Sequence, residues 1–272
     1  MPNRQPYLQL NNRDFGMSHY CVGGWVLGDY GTVHELIPDV LPAAPALVGL
    51  GSTINFAEGD NARMLDFSGN NTSDRVNLGT VPSGHPLQGS APFAVLFRCF
   101  PNTGAGNSSF WRIVDKSNGG DIANGWGVWL NQSSARWEFG INSPGSGYAD
   151  SANASVTKGS WTTTLFAYDG SNYYYYINGT QTKSSTYSES FVNVATAMAL
   201  GNWNHSVDRE WYGLIDYVLV SLVYPSTEEA RILTTPGNEY LLFRKSPDLP
   251  FAAFLTPPAP GGNDYTGMFL SA

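Results

Sequence analysis

Apolar residues return at every second position through much of this chain. Phe93, Val95, Phe97 and Cys99 alternate with their neighbours between Ala91 and Phe100, so an extended backbone carries all four on one face. Val128 and Leu130, then Phe139 and Ile141, repeat the pattern in the next two segments. Trp161 opens a further strand on whose face Thr163, Leu165 and Ala167 follow, which predicts Trp161 as a core anchor. Asp169-Gly170 and Asn178-Gly179 supply the positive-φ residues that two-residue hairpin turns require. Between them lies Tyr173-Tyr-Tyr-Tyr176, which must send alternate rings to opposite faces. One outward pair, Tyr173 with Tyr175 or Tyr174 with Tyr176, is expected at the surface. A single short helix is predicted after Pro225, where Ser226 and Glu229 form a capping box ahead of Ile232 and Leu233. Antiparallel strands therefore dominate, and the expected class is all-β.

Three motifs give this pattern a family likeness. Gly159-Ser-Trp161 leading to Tyr168-Asp-Gly170, then Tyr176-Ile-Asn-Gly179, then Gly213-Leu-Ile-Asp-Tyr-Val218 occur in one order. They resemble the laminin-G-like, concanavalin A-like jelly roll family, in which a "G-x-W-x-x-x-x-x-x-Y-D-G" strand, a "Y-x-N-G" hairpin and a closing "G-x-I-D-x-V" strand recur. Residues 64–79 resemble the family's early hairpin, with Asp74 and Val76 in matching places. The likeness implies an antiparallel two-sheet jelly roll sandwich over residues 20–245, with an N-terminal arm, 1–19, and a Pro-rich C-terminal arm, 246–272. Asn238-Glu-Tyr-Leu-Leu-Phe-Arg-Lys-Ser-Pro247 resembles a segment that trails this domain in bacteriophage-encoded members.

Composition narrows the function. The net charge is −8 and the 14 Lys and Arg residues are scattered, with Arg244-Lys245 the one adjacent pair, so no cluster is expected to displace counterions from nucleic acid. No apolar run reaches membrane-spanning length, and the opening Met1-Pro-Asn-Arg-Gln-Pro lacks signal-peptide character. The expectation is a soluble protein made in a host cytoplasm. Cys21 and Cys99 form no framework or metal motif, and free, buried thiols are expected. The sequons at Asn70, Asn107, Asn131, Asn153, Asn178 and Asn204 are read as chance in a chain so rich in Asn, Ser and Thr.

Enzymatic chemistry finds little support. Glycoside hydrolases of this fold work with two carboxylates, and the laminarinase-type E-x-D-x-E triplet is missing. Asp208-Arg-Glu210 is read as a solvated turn, and the four histidines show no metal-ligand spacing. A non-enzyme is expected, with a carbohydrate-active enzyme disfavoured. The resemblance implies one structural Ca²⁺, for which Asp216 matches the acid of the closing strand and Glu35 stands where the family places its early Asp. Trp126, Trp129, Trp203 and Trp211 are the indoles near loops that a glycan platform would use, against the alternative that they fill the core. The C-terminal arm carries Tyr265, Met268, Phe269 and Leu270, too much apolar surface for a solvated linker. It is expected to bind a partner, either by packing across its own sandwich or by adding a strand to an exposed edge of a neighbouring subunit.

The function expected from resemblance and composition together is a bacteriophage virion structural protein that decorates the head. Its partners would be other virion proteins, foremost the major capsid protein, with self-association. The alternative is a tail-fibre or baseplate adhesin recognising host glycans.

Overall fold

Asn178-Gly179 forms the two-residue turn that the sequence predicts, whereas the first turn is centred one residue later than expected, on Gly170-Ser171, with Asp169 N donating to the Asn172 carbonyl. Asn178 and Gly179 adopt φ of 48° and 80°, and Gly170 adopts 106°, all in the left-handed region that an Asn or Gly tolerates. The computed structural model describes residues 8–10, 21–27, 33–35, 46–48, 55–58, 63–67, 75–104, 106, 108–118, 124–142, 147–203, 209–238 and 243–245. Their strands are β1 (Leu8–Leu10), β2 (Cys21–Leu27), β3 (Val33–Glu35), β4 (Ala46–Val48), β5 (Asn55–Glu58) and β6 (Arg63–Asp66). Next come β7 (Arg75–Val81), β8 (Phe93–Pro101), β9 (Phe110–Lys116), β10 (Trp126–Asn131), β11 (Arg136–Ile141) and β12 (Ala149–Asp150). The chain continues through β13 (Thr162–Tyr168), β14 (Asn172–Ile177), β15 (Thr180–Thr186), β16 (Thr196–Leu200) and β17 (Gly213–Ser221). A helix, α1 (Thr227–Thr234), and β18 (Phe243–Lys245) follow.

All of these strands but β1 and β18, which pair with each other, form two antiparallel sheets. A seven-stranded sheet runs β12-β11-β10-β9-β16-β7-β4. A nine-stranded sheet runs β15-β14-β13-β8-β17-β2-β3, with β6 on β17 and β5 on β6. The all-β jelly roll sandwich with one short helix is thus the observed architecture. Backbone pairing of β1 with β18 ties the expected N-terminal arm to the end of the expected domain.

Inner faces of the two sheets meet in one aromatic layer. Phe139 of the seven-stranded sheet stacks on Phe166 of the nine-stranded sheet at 4.0 Å, Phe93 meets Trp126 at 5.0 Å and Phe97 meets Trp137 at 4.7 Å. The alternation of Phe93, Val95, Phe97 and Cys99, and of Val128, Leu130, Phe139 and Ile141, places all eight in this core. Hydroxyls staple the layers together: Tyr173 donates to the Asp150 carbonyl and Tyr175 to the Ala149 carbonyl, both across the sandwich on β12. Burial pushes the Tyr175 phenol well up, so it stays a neutral donor.

Two expectations about β13 and β14 change. Tyr174 and Tyr176 do point outward, yet both are buried, because α1 lies over them and contributes Ala230 and Leu233 to a second cluster with Leu165 and Ala167. Tyr174 donates to the Pro225 carbonyl there. No tyrosine pair of this run is presented at the surface. Leu165 and Ala167 identify the outer face of β13, so Trp161, on that same face, is not an interior anchor; it lies half-buried with the Arg98 guanidinium 4.2 Å over its ring. Phe166 and Tyr168, on the opposite face, fill the core. The cysteines separate as well. Cys21 pairs with Ser221 and Cys99 with Ile215, at opposite ends of β17, roughly 20 Å apart at strand spacing and beyond disulfide reach. Cys99 is a free, buried thiol.

A lysine is held inside the sandwich. The fully buried Lys116 ammonium donates to Gln88 Oε1 and to the Val194 carbonyl, while Gln88 Nε2 donates to the Val81 and Pro82 carbonyls at 2.9 and 2.6 Å. No carboxylate pairs with it among the described residues, and burial lowers its pKa from 10.5 to about 8.

Two predictions come from this packing. Phe166→Ala is expected to cost about 3–5 kcal/mol in denaturant unfolding, and Trp161→Ala clearly less, because only the first opens a cavity in the closed core. Equal costs would contradict the assigned faces. For Lys116 the unfolded chain holds more protons than the native one between pH 8 and 10.5, so stability rises with pH across that window. In Lys116→Met this rise is expected to shrink; an unchanged pH profile would show that the ammonium is not buried.

Candidate functional site on the outer face of the seven-stranded sheet

A β-bulge builds this site. Val128 pairs with Val114 but Trp129 pairs with Arg112, so Ile113 is an extra residue in β9. In an unbroken strand, residues three apart face opposite ways. The bulge puts Ile113 and Val114 both in the core and returns Asp115 to the face of Arg112, 3.6 Å from its guanidinium.

Charged and aromatic groups then alternate across the sheet. The Arg112 guanidinium lies 4.0 Å over the Trp129 ring and 5.7 Å from Trp203, and Arg209 lies 5.2 Å from Trp203 and 4.9 Å from Phe110. Trp203 Nε1 donates to Ser117 Oγ, whose hydroxyl donates to Asp115. On the other side Trp129 Nε1 donates to Glu138 Oε2 at 2.7 Å, from the position directly opposite it in the ladder. Asn131 and Arg136 both donate to Glu138 Oε1. Arg136 also meets Asp150 at 2.9 Å, and Asp150 meets Lys183 of β15 at 2.8 Å, so the chain of charges reaches the other sheet.

Exposure divides the cluster. Trp129 is 2% and Trp203 7% exposed, and Arg112, Asp115 and Glu138 are buried with them. Arg136, Asp150 and Lys183 keep 29, 20 and 35% of their side chains in solvent. Half-buried Tyr148 stands edge-on to Trp129 at 4.9 Å, and exposed Asn153 accepts from Arg136. The rim thus offers a guanidinium, an ammonium, a carboxylate and an amide, whereas the Glu138 oxygens already accept from Trp129, Asn131 and Arg136.

The residues singled out in the sequence fall elsewhere or change role. Trp126 and Trp211 lie in the core, and Trp129 and Trp203 are sealed against Arg112, so none of the four is an exposed platform. Glu210 is buried rather than part of a solvated turn, and Asp208 lies outside the described residues. Asp216 sits in a second bulge, since Ile215 pairs with Cys99 and Tyr217 with Arg98. Its Oδ2 meets the Arg98 guanidinium at 2.6 Å. Calcium wants six to eight oxygens, while this carboxylate faces a cation and no group of three His, Cys, Asp or Glu gathers among the described residues. Among the described residues the Asp216 carboxylate is held by Arg98. Glu35 is placed by its backbone alone, opposite Trp25, which pairs with Val218, so β2 separates it from Asp216's strand. Tyr265, Met268, Phe269 and Leu270 lie outside the described residues. Arg112, Arg136 and Glu138 were not anticipated; the signal was Trp129 and Glu138 placed symmetrically about the Asn131–Arg136 hairpin.

Removing one partner from such a buried set leaves the others uncompensated. Arg112→Ala is expected to cost about 3–5 kcal/mol, and Arg112→Lys is expected not to restore it, because an ammonium lacks the flat guanidinium that lies against two indoles. Full rescue by Lys would reduce the stack to a point charge.

The comparisons with known proteins agree with this architecture. The laminin G domain model described as "Concanavalin A-like lectin/glucanases superfamily" matches residues 61–229, more than half of the chain. The binding domain of Paraclostridial Mosquitocidal Protein 1 is similar at a TM-score of 0.57 and 12% identity, covering 79% of this chain and 52% of that one. A second structure, a receptor binding domain, reaches 0.56 at 13% identity, with 80% and 51% covered. Domain 4 of AbnA, a GH43 extracellular arabinanase from Geobacillus stearothermophilus in complex with arabinotriose, gives 0.49 at 19% identity, covering 71% and 89%. At these identities the likeness is one of fold. No curated protein matches the chain. The order of strands, the hairpin motifs and the family match together make this chain a member of the concanavalin A-like lectin/glucanase superfamily, a lectin-like jelly roll.

Proposed function

We propose that this jelly roll is a non-catalytic adhesion module and, more specifically, a bacteriophage virion structural protein that decorates the head by binding the capsid lattice. The observation that carries the adhesion reading is the state of its acids. Glu138, Asp150 and Asp216 each face a cation, which supports a role in holding the sheets rather than in cleaving a glycosidic bond. What the described surface offers instead is polar: Thr180–Thr186 contains only Thr, Gln, Lys and Ser, and one large hydrophobic, Val194, stands exposed among the described residues. The phage assignment rests on the resemblance of residues 238–247 to the segment that trails phage-encoded members.

A second reading, a tail-fibre or baseplate adhesin for host glycans, is favoured by the rim of Arg136, Asp150, Lys183 and Asn153 beside Tyr148. A convergent set of donors and acceptors next to an aromatic ring is what sugar hydroxyls require.

Labelling the protein on intact particles separates these readings. A shell distribution is expected for the head, a tail-tip distribution would favour the adhesin, and absence from particles would remove both. On a glycan array the head reading expects no binder; a binder lost in Arg136→Ala would move the assignment to the rim.

A further inference from the structure

The hairpin between β14 and β15 turns on Asn178-Gly179, and its tip is pinned from two sides. On the β13 side Asn178 Oδ1 accepts from the Thr163 backbone N–H at 2.8 Å, and Nδ2 donates to the Trp161 carbonyl at 3.4 Å. On the helix side the Gly179 backbone N–H donates to Thr234 Oγ1 at 3.1 Å. That hydroxyl, on the buried last residue of α1, donates in turn to the Ala230 carbonyl at 2.8 Å. Contact at the tip is close: a Cβ built on Gly179 would stand 2.7 Å from Thr235 Oγ1. Ala230 and Leu233 seat α1 against Leu165, Ala167, Tyr174 and Tyr176.

An Asn-Gly pair carries its own chemistry, because the glycine has no Cβ to hinder attack by its nitrogen on the preceding carboxamide. A bond forms from the Gly179 nitrogen to Asn178 Cγ while the Cγ–Nδ2 bond breaks, and the departing ammonia takes up the proton that the Gly179 N–H gives up. Water then opens the resulting succinimide at either carbonyl, leaving aspartate or isoaspartate. Asn178 is exposed, so water reaches it. What opposes the reaction is orientation: the carboxamide is turned to β13 and the Gly179 N–H to α1, whereas attack needs the nitrogen aligned on Cγ.

We propose that Asn178 is a gated modification site, protected while Thr234 holds Gly179 and converted to aspartate or isoaspartate when α1 lifts from the hairpin. Either product lacks Nδ2, and with it the bond to the Trp161 carbonyl. Isoaspartate also routes the main chain through the side-chain carbons and adds a methylene to a turn that closes with two residues. A hairpin so converted does not re-form its contact with α1, and the site records opening of the helix as a lasting covalent change.

Incubating the full chain in mildly alkaline buffer and mapping residue 178 by peptide mass spectrometry tests this. Conversion in the folded chain is expected to be about tenfold or more slower than in the same chain unfolded in urea. Thr234→Val is expected to speed it about fivefold in the folded chain, the factor that loss of one hydrogen bond implies. Thr234→Ser keeps the hydroxyl and is expected to keep the protection. Amide exchange in β8 of the same variants separates opening of α1 from global unfolding. Equal rates in the folded and unfolded chain, an unchanged rate in Thr234→Val, equal acceleration by Val and Ser, or a rise matched by an equal loss of protection in β8 would each overturn the proposal.

Discussion

The contact between Phe139 and Phe166, 4.0 Å apart and nearly parallel, is the centre of a layer on which the rest of the molecule depends. Around it Phe93 with Trp126 and Phe97 with Trp137 repeat the same cross-sheet junction. Each pair is worth about 0.5–1.5 kcal/mol beyond the area it buries. Their larger effect is geometric: rings of this size fix the spacing of the two sheets and leave the interior to apolar groups. Tyr173 and Tyr175 reach across at the same spacing, so their hydroxyls find β12 carbonyls and not water.

With the interior filled and Lys116 held there by Gln88, the Arg112 and Arg98 clusters lie on the outer faces, and two bulges decide how their charges meet. An extra residue in β9 sets Asp115 beside Arg112, and an extra residue in β17 brings Asp216 to Arg98. Both guanidiniums also lie against indoles, Arg112 on Trp129 and Arg98 on Trp161. Burial of such ions is costly unless partners surround them. The same packing withdraws Arg112, Asp115, Arg98 and Asp216 from solvent.

Much of this was legible in the sequence. Strict alternation from Phe93 to Cys99 reads correctly because one face of β8 is closed by the opposite sheet, and Ser226 caps α1 as its spacing to Glu229 indicates. Asn178-Gly179 marks its hairpin through a backbone requirement that few residues meet. The misreadings share one cause. Period-two patterns assign residues to a face but do not say which face is inner or what covers the outer one, so alternation alone does not show that Trp161 lies on the outer face or that α1 covers Tyr174 and Tyr176 there. Bulges carry no signature in residue type, which hid the Arg112–Asp115 and Arg98–Asp216 pairs. Glu138 shares a face with Arg136 by alternation alone, but Trp129 becomes its neighbour only through β10–β11 pairing.

The central claim is that the indoles of the outer face are part of the packed structure and do not form an open platform. Hydroxyl-radical footprinting read by mass spectrometry tests it residue by residue. Trp129 and Trp203 are predicted to be protected in the native protein, with Trp161 oxidised more readily. Rapid oxidation of Trp129 and Trp203, at rates matching Trp161, would contradict the account and return the face to ligand binding.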